Sequence, residues 1–258
     1  MIRTAVEDGS ILVVTMDRPP ANAIDQLMSD GLDEAFGRFE ADDDLRVCVI
    51  TGAGDRFFSA GWDLKEVAAG GADESRFGAG GYMGLTERWG LLKPVIAAVN
   101  GTAAGGGFEL ALACDLVVAD ERARFVLPEV RHGLVAEGGG VIRAPRRLPP
   151  MIAMELLLTG APMRAEELSR HGFVNRLAKP GQTLPVALEL ARRICEAAPT
   201  AVTATKEIVA GTLHLSERDA YASMRGGTWP GYRRMRESAN RIEGPRAFAG
   251  KRLPRWVP

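Results

Sequence analysis

Three consecutive glycines stand where a strand-like run gives way to a helix-like one, in Asn100-Gly101-Thr102-Ala103-Ala104-Gly105-Gly106-Gly107-Phe108-Glu109-Leu110. With no side chains at the helix entrance, a ligand can reach backbone N–H groups that lack an intrahelical partner and sit at the positive end of the helix dipole. Such a place suits negative charge that develops during a reaction. The same glycines would equally serve close packing of helix on strand, and this segment alone does not separate the two readings. A second segment, Phe57-Phe58-Ser59-Ala60-Gly61-Trp62-Asp63-Leu64, sets small residues between bulky ones after another strand-like run, with the bare N–H of Ala60 expected to face a pocket. Two N–H donors from separate strand ends are what the enolate of a thioester needs, and removing one donor from such a hole typically costs about 10²–10³ in rate.

Other chemistries fit less well. In Gly52-Ala53-Gly54-Asp55-Arg56-Phe57 a phenylalanine takes the place of the third glycine of a dinucleotide fingerprint, and no glycine loop runs into Gly-Lys-Ser or Gly-Lys-Thr. Ser59 lies outside any Gly-x-Ser-x-Gly elbow. His132, His171 and His214 lack zinc-protease spacing, and Cys48, Cys114 and Cys195 are odd in number and far apart, which argues against a metal site or a disulfide framework and for a reduced, cytoplasmic protein. Lys+Arg 32 against Asp+Glu 33 leaves a net charge of -1, so no global field draws in nucleic acid or an anionic membrane. Acidic residues in Met1-Ile2-Arg3-Thr4-Ala5-Val6-Glu7-Asp8 argue against an export signal, and no run approaches the ~18 apolar residues of a membrane span.

The elements that must position these segments follow from periodicity. Residues 11–16 form a β-branched run stopped by Pro19-Pro20, and from Asp25, a helix cap, the apolar residues Met28, Leu32, Ala35, Phe36 and Phe39 recur at helical steps. Residues 47–51, 95–99 and 116–119 read as further buried strands, the first two closed by glycine joints that form a weak internal repeat. Strands alternating with helices predict an α/β fold with mainly parallel pairing. Residues 70–84 hold six glycines and read as a surface loop or a lid. Beyond Gly160 the pattern is helical, with a boundary near Pro199 that divides a core of residues 1–198 from a C-terminal region of residues 199–258.

Taken with Phe125-Val126-Leu127-Pro128-Glu129, the two glycine segments resemble the crotonase (enoyl-CoA hydratase/isomerase) superfamily, whose members share FxAGxDL, NGxxxGGGxEL and PE blocks. The likeness spans nearly the whole chain, from Asp17-Arg18-Pro19 and Asn22-Ala23 through Leu158-Thr159-Gly160 to Ile242-Glu243-Gly244-Pro245-Arg246-Ala247-Phe248. It implies an α/β spiral of ββα repeats, a helical C-terminal region that builds trimers or a dimer of trimers, and an acyl-CoA substrate, with no metal or other cofactor. By position it makes the N–H groups of Ala60 and Gly106 the oxyanion hole and Glu109 and Glu129 the acid/base pair. Gly61, Trp62, Asp63, Leu64 and Gly105 would line the substrate, and Lys251 would contact the CoA phosphates.

Both glutamates being present favours hydration or its reverse over a double-bond isomerase or a non-catalytic acyl-CoA-binding paralogue, because water must reach C3 while a proton reaches C2. One departure is Glu137, in Gly133-Leu134-Val135-Ala136-Glu137-Gly138-Gly139-Gly140, where common hydratases carry a small residue. Dienoyl-CoA isomerases and carnitinyl-CoA dehydratases carry an acid there, and the latter subgroup also resembles this chain at Leu148-Pro149-Pro150 and near the C-terminus. Glu137 either faces the pocket, where it would suit a trimethylammonium substrate, or caps the following helix.

Overall fold

The parallel strands expected from the β-branched runs form, and they are buried on both faces: every residue of the Val-Cys-Val-Ile-Thr-Gly strand is inside. The structure, a computed structural model, describes residues 1–63, 65, 68 and 77–257. In chain order its elements are β1 (Ile2–Glu7), β2 (Ile11–Met16), α1 (Gln26–Ala41), β3 (Val47–Gly52), β4 (Phe57–Ser59), β5 (Val95–Val99), β6 (Thr102–Ala104), α2 (Gly106–Ala113), β7 (Leu116–Asp120), β8 (Arg124–Val126), α3 (Gly140–Arg147), α4 (Pro150–Thr159), β9 (Met163–Arg164), α5 (Ala165–Arg170), β10 (Arg176–Ala178), α6 (Thr183–Cys195), α7 (Pro199–Thr212), α8 (Glu217–Arg225), α9 (Pro230–Glu237) and α10 (Asn240–Ala249).

The larger sheet runs β1-β2-β3-β5-β7-β10 and the smaller β4-β6-β8-β9. β1 pairs antiparallel with β2, and β9 with β8; the remaining pairings are parallel. Alternate residues serve alternate cores, as the pleat demands. Cys48, Ile50, Val95, Ala97, Val99, Val117 and Ala119 join the main core with α1, whereas Val47, Val49, Ile96, Ala98 and Val118 pack on Ala187 and Ala191 of α6. Asp25 caps α1 as expected, its carboxylate accepting the N–H of Met28 at 2.8 Å.

β3 leads into β4, β5 into β6 and β7 into β8, so each pass of the chain adds a long strand to one sheet and a short one to the other. This is the physical content of the weak repeat. Asn100 binds two of the joints together: its Oδ1 accepts the N–H of Gly52 at 3.1 Å, and its Nδ2 donates to the carbonyls of Gly52 and Gly54 at 2.9 and 2.7 Å. Gly101 beside it must be glycine, because a Cβ there would fall 2.4 Å from the backbone of Arg56. Of the glycine-rich stretch 70–84, residues 70–76 lie outside the described residues; the remainder ends in a tight turn at Tyr82–Gly84. In the C-terminal region the carboxylate of Glu207 on α7 accepts the N–H groups of Gly231 and Tyr232 at 3.0 Å, fastening α9 to α7. Among the described residues no helix is long and apolar enough to cross a membrane.

Candidate active site

Glu109 lies in the first turn of α2 and is 3% exposed. Its Oε1 accepts the N–H of Gly140, the first residue of α3, at 2.8 Å. The opposite wall must be bare, since a Cβ at Gly138 would lie 2.6 Å from Oε2. Glu129 opens a short turn after β8, and its Oε1 sits 2.9 Å from where a Cβ on Gly105 would be. Its Oε2 is buried with no hydrogen-bond partner among the described residues.

Burial, foremost, pushes the Glu109 carboxyl up to about 7 against the pull of the Gly140 N–H. The charge of Glu129 raises it further, Arg143 lowers it and Glu137 raises it. Burial also raises Glu129, opposed by its own backbone N–H and by His132. Burial thus holds both carboxyls above their usual range, and the charge of Glu129 adds to the rise at Glu109.

A consequence for stability follows in sign. The folded protein keeps the Glu109 proton at pH values where the unfolded chain, near 4.5, has lost it. Stability is therefore full below about 4.5 and falls as pH rises through about 7. The loss is on the order of 3 kcal/mol. Glu109→Gln is expected to abolish this decline, so thermal melts at pH 5 and pH 8 should show the variant gaining on the native protein at the higher value; equal slopes would refute the assignment.

Gly106 begins α2 behind Gly105, which takes φ +50, and a Cβ on Gly61 would lie 2.7 Å from the Gly106 nitrogen, so the two glycine segments touch. Ala60 differs from expectation, because its N–H is committed to the carbonyl of Ala21 at 3.0 Å. Trp62 takes the other direction. Ile24 donates to the carbonyl of Gly61 and accepts from the N–H of Asp63, both at 2.8 Å, in a parallel bridge to Trp62. That pattern leaves the N–H of Trp62 pointing away from Ile24. An extended chain would turn the N–H groups of residues 60 and 62 the same way, but Gly61 at φ +82 breaks the alternation.

Asp63 is an anchor for this segment. Its carboxylate receives Arg18 Nη2 at 2.9 Å, and Arg18 also binds Asp25 at 3.1 Å and the carbonyl of Ala23 at 3.0 Å. The hydrogen bond from Arg18 holds the Asp63 carboxyl below its usual range. Leu64 lies outside the described residues. Trp62 packs its ring on Tyr82 at 5.1 Å and on Phe77 at 5.8 Å. Tyr82, which periodicity did not single out, lies beside the site: Cβ atoms on Gly106 and Gly138 would each fall 2.6 Å from it. Glu137 is exposed, and Gly139, the N-cap of α3, receives no side-chain cap hydrogen bond. Lys251 is exposed on the turn after α10, at φ +50. Among the described residues no cluster of His, Cys, Asp and Glu could hold a metal ion.

The family model for enoyl-CoA hydratase/isomerase matches residues 7–257. A carnitinyl-CoA dehydratase of Proteus mirabilis is 51% identical over 248 residues, covering 96% of this chain and 95% of that protein. Among solved structures, an enoyl-CoA hydratase of Mycobacterium tuberculosis superposes with a TM-score of 0.91 at 42% identity, covering 99% of this chain and 98% of that one. A carnitinyl-CoA hydratase of Mycobacterium avium does so at 0.78 and 39%, covering 99% and 97%. Glutamates, touching glycine segments and full-length likeness agree, and the chain belongs to the enoyl-CoA hydratase/isomerase family as a hydratase-type hydro-lyase.

Proposed function

We propose that the N–H groups of Trp62 and Gly106 hold the thioester oxygen of a 2-enoyl-CoA while Glu109 and Glu129 move protons between water and C2. Water adds its oxygen to C3, the electron pair of the double bond passes into the thioester enolate, and collapse of the enolate takes a proton onto C2. Glu109 accepts the water proton and Glu129 delivers the proton to C2. The observation that supports this division is the N–H of Gly140 on Glu109, which against the pull of burial leaves the carboxyl at about 7, where it can take up and return a proton, while Oε2 of Glu129 is buried without a hydrogen-bond partner among the described residues. The reverse sequence, loss of water from a 3-hydroxyacyl-CoA, uses the same groups.

The finer reading is a substrate with a trimethylammonium end, as in carnitinyl-CoA. It is supported by relatives of that name at about half identity and by the acidity around the site, to which Glu137 adds negative potential at Glu109. Native protein is expected to hydrate both crotonyl-CoA and crotonobetainyl-CoA, and Glu137→Gln to slow the second several-fold more than the first. Loss of enoyl-thioester absorbance measures both, and an unchanged rate for both in the variant removes Glu137 from the pocket. Absence of turnover with any enoyl thioester, alongside tight CoA-ester binding, would leave an acyl-CoA-binding paralogue.

Residues 199–258 are proposed as the trimer-building part of a cytoplasmic enzyme. Leu213, Phe248 and Leu253 there are 82%, 87% and 87% exposed, apolar side chains that a neighbouring subunit would cover. Light scattering is expected to return three or six times the 27.7 kDa of one chain, and a monomeric mass would count against it.

A further inference from the structure

The two oxygens of Glu109 have unlike surroundings. Oε1 accepts the N–H of Gly140, and a Cβ on that glycine would lie 3.0 Å from it, 2.7 Å from Ala136 and 3.3 Å from Leu127, both buried apolar residues. Oε2 instead borders Gly138, which has no side chain and is itself half-exposed. The three atoms nearest to where a Cβ on Gly138 would be are Glu109 Oε2 and Tyr82 Cδ1, each at 2.6 Å, and Tyr82 Cε1 at 2.9 Å. The carboxylate oxygen and the ring carbon are therefore at most twice 2.6 Å apart. Further along the same ring edge, Cε1 and the hydroxyl would lie 2.9 and 2.6 Å from a Cβ on Gly106. One edge of Tyr82 thus runs from Glu109 Oε2 to the start of α2.

That edge is held at some conformational cost. Gly81, Met83 and Gly84 take φ values of +66, +59 and +67, and a methionine in the left-handed region is uncommon. The turn is fastened on two sides. Towards α1, the N–H of Gly80 donates to Asp33 at 2.9 Å and that of Met83 to Ser29 at 3.1 Å, while Arg88 donates to Asp33 at 2.6 Å and to the carbonyl of Gly84 at 2.9 Å. Towards α3, Arg143 donates to the carbonyl of Thr86. Strain of this kind persists where the surroundings over-determine it.

We propose that Tyr82 is a positioning residue for hydration: its ring edge covers Oε2 of Glu109 and so sets how much water reaches the base, an inference that rests on the hydro-lyase reading of the same site. A carboxyl screened from bulk water is harder to ionise and, once ionised, is the stronger base. Opening the cover lets water solvate the anion and weakens that base. The groups acting on Glu109 from the elements around it are Glu129 from the turn after β8 and Glu137 from the segment before α3, which hold its proton on, and Arg143 and the Gly140 N–H from α3, which draw it off. A substitution at Tyr82 alters none of these charges.

The test follows kcat/KM for crotonyl-CoA against pH. A base works only when ionised, so the rate falls as pH drops through its pKa. Tyr82→Ala should carry this acid limb to lower pH by about 1–2 pH units, part of the shift that full burial can give, while Tyr82→Phe, which keeps the ring edge, should leave the limb in place. A merely structural loss would scale the whole profile without moving the limb. An unmoved limb in Tyr82→Ala overturns the proposal, as does an equal displacement in Tyr82→Phe, which would assign the effect to the hydroxyl. Should Tyr82→Ala not fold, Tyr82→Val, whose side chain is too short to reach Gly138, gives the same readout. Infrared difference spectra against Glu109→Gln follow the protonated Glu109 carboxyl over the same pH range without turnover. Absence of hydration by the native protein would therefore sink the hydro-lyase reading, while the infrared titration still decides whether Tyr82 covers the carboxyl.

Discussion

Glu129→Gln is expected to lower kcat for hydration about 10²–10⁴-fold, the worth of a positioned proton donor, with KM for the thioester little changed. The amide matches the carboxyl in shape, so the glycine-lined slot beside Gly105 stays filled, but it has no acidic proton for C2. Glu109→Gln should lose a comparable amount for a different reason, since the amide cannot accept the proton of water. Because the two act on one proton-transfer relay, the double variant should lose far less than the product of the single losses. Steady-state rates on crotonyl-CoA decide this. A Glu109→Gln enzyme that keeps its hydration rate within a few-fold would remove Glu109 from the activation of water.

The second large effect is expected from a methyl group. Gly61 has φ +82, and a Cβ there would lie 2.6 Å from the carbonyl oxygen of Ala104 and 2.7 Å from the nitrogen of Gly106. Both obstacles are backbone and cannot swing aside. Gly61→Ala must therefore force the two donor segments apart, at a conformational cost of about 1–2 kcal/mol for the left-handed residue and with about 10²–10³ lost in kcat as the hole opens. Circular dichroism would establish that the variant folds before its rate is read. Exchange of the amide for an ester at position 62 removes only that N–H, and a loss there but not at position 60 would place the donor on Trp62; the opposite pattern would return it to Ala60.

Much of this architecture is legible in the residue order, and the exceptions have physical causes. The runs at residues 11–16, 47–51, 95–99 and 116–119 are strands because short apolar runs rich in β-branched residues suit sheets covered on both faces, and Asp25 heads a helix because its carboxylate can reach the N–H of Met28. The second sheet is not legible, because β4, β6 and β8 have three residues each and three residues carry no period. β1 is hidden for another reason: as an edge strand with five of its six residues exposed, it shows no apolar alternation. Within the site, the blocks name Glu109 and Glu129 as a pair. The donor proposed at Trp62 is not legible there, since the reversal at Gly61 is a torsion that residue type permits without announcing. Arg18 and Asp63 meet across 45 positions, and Tyr82 lies in a stretch whose glycines suggest a loop, although its last residues form a turn fixed by contacts to α1.

The stitch that Asn100 makes between neighbouring coils has a wider consequence. Both joints hang on one amide side chain, so a substitution at Asn100 would loosen the ends of β3 and β5 together, and with them the two glycine segments that follow, rather than one at a time.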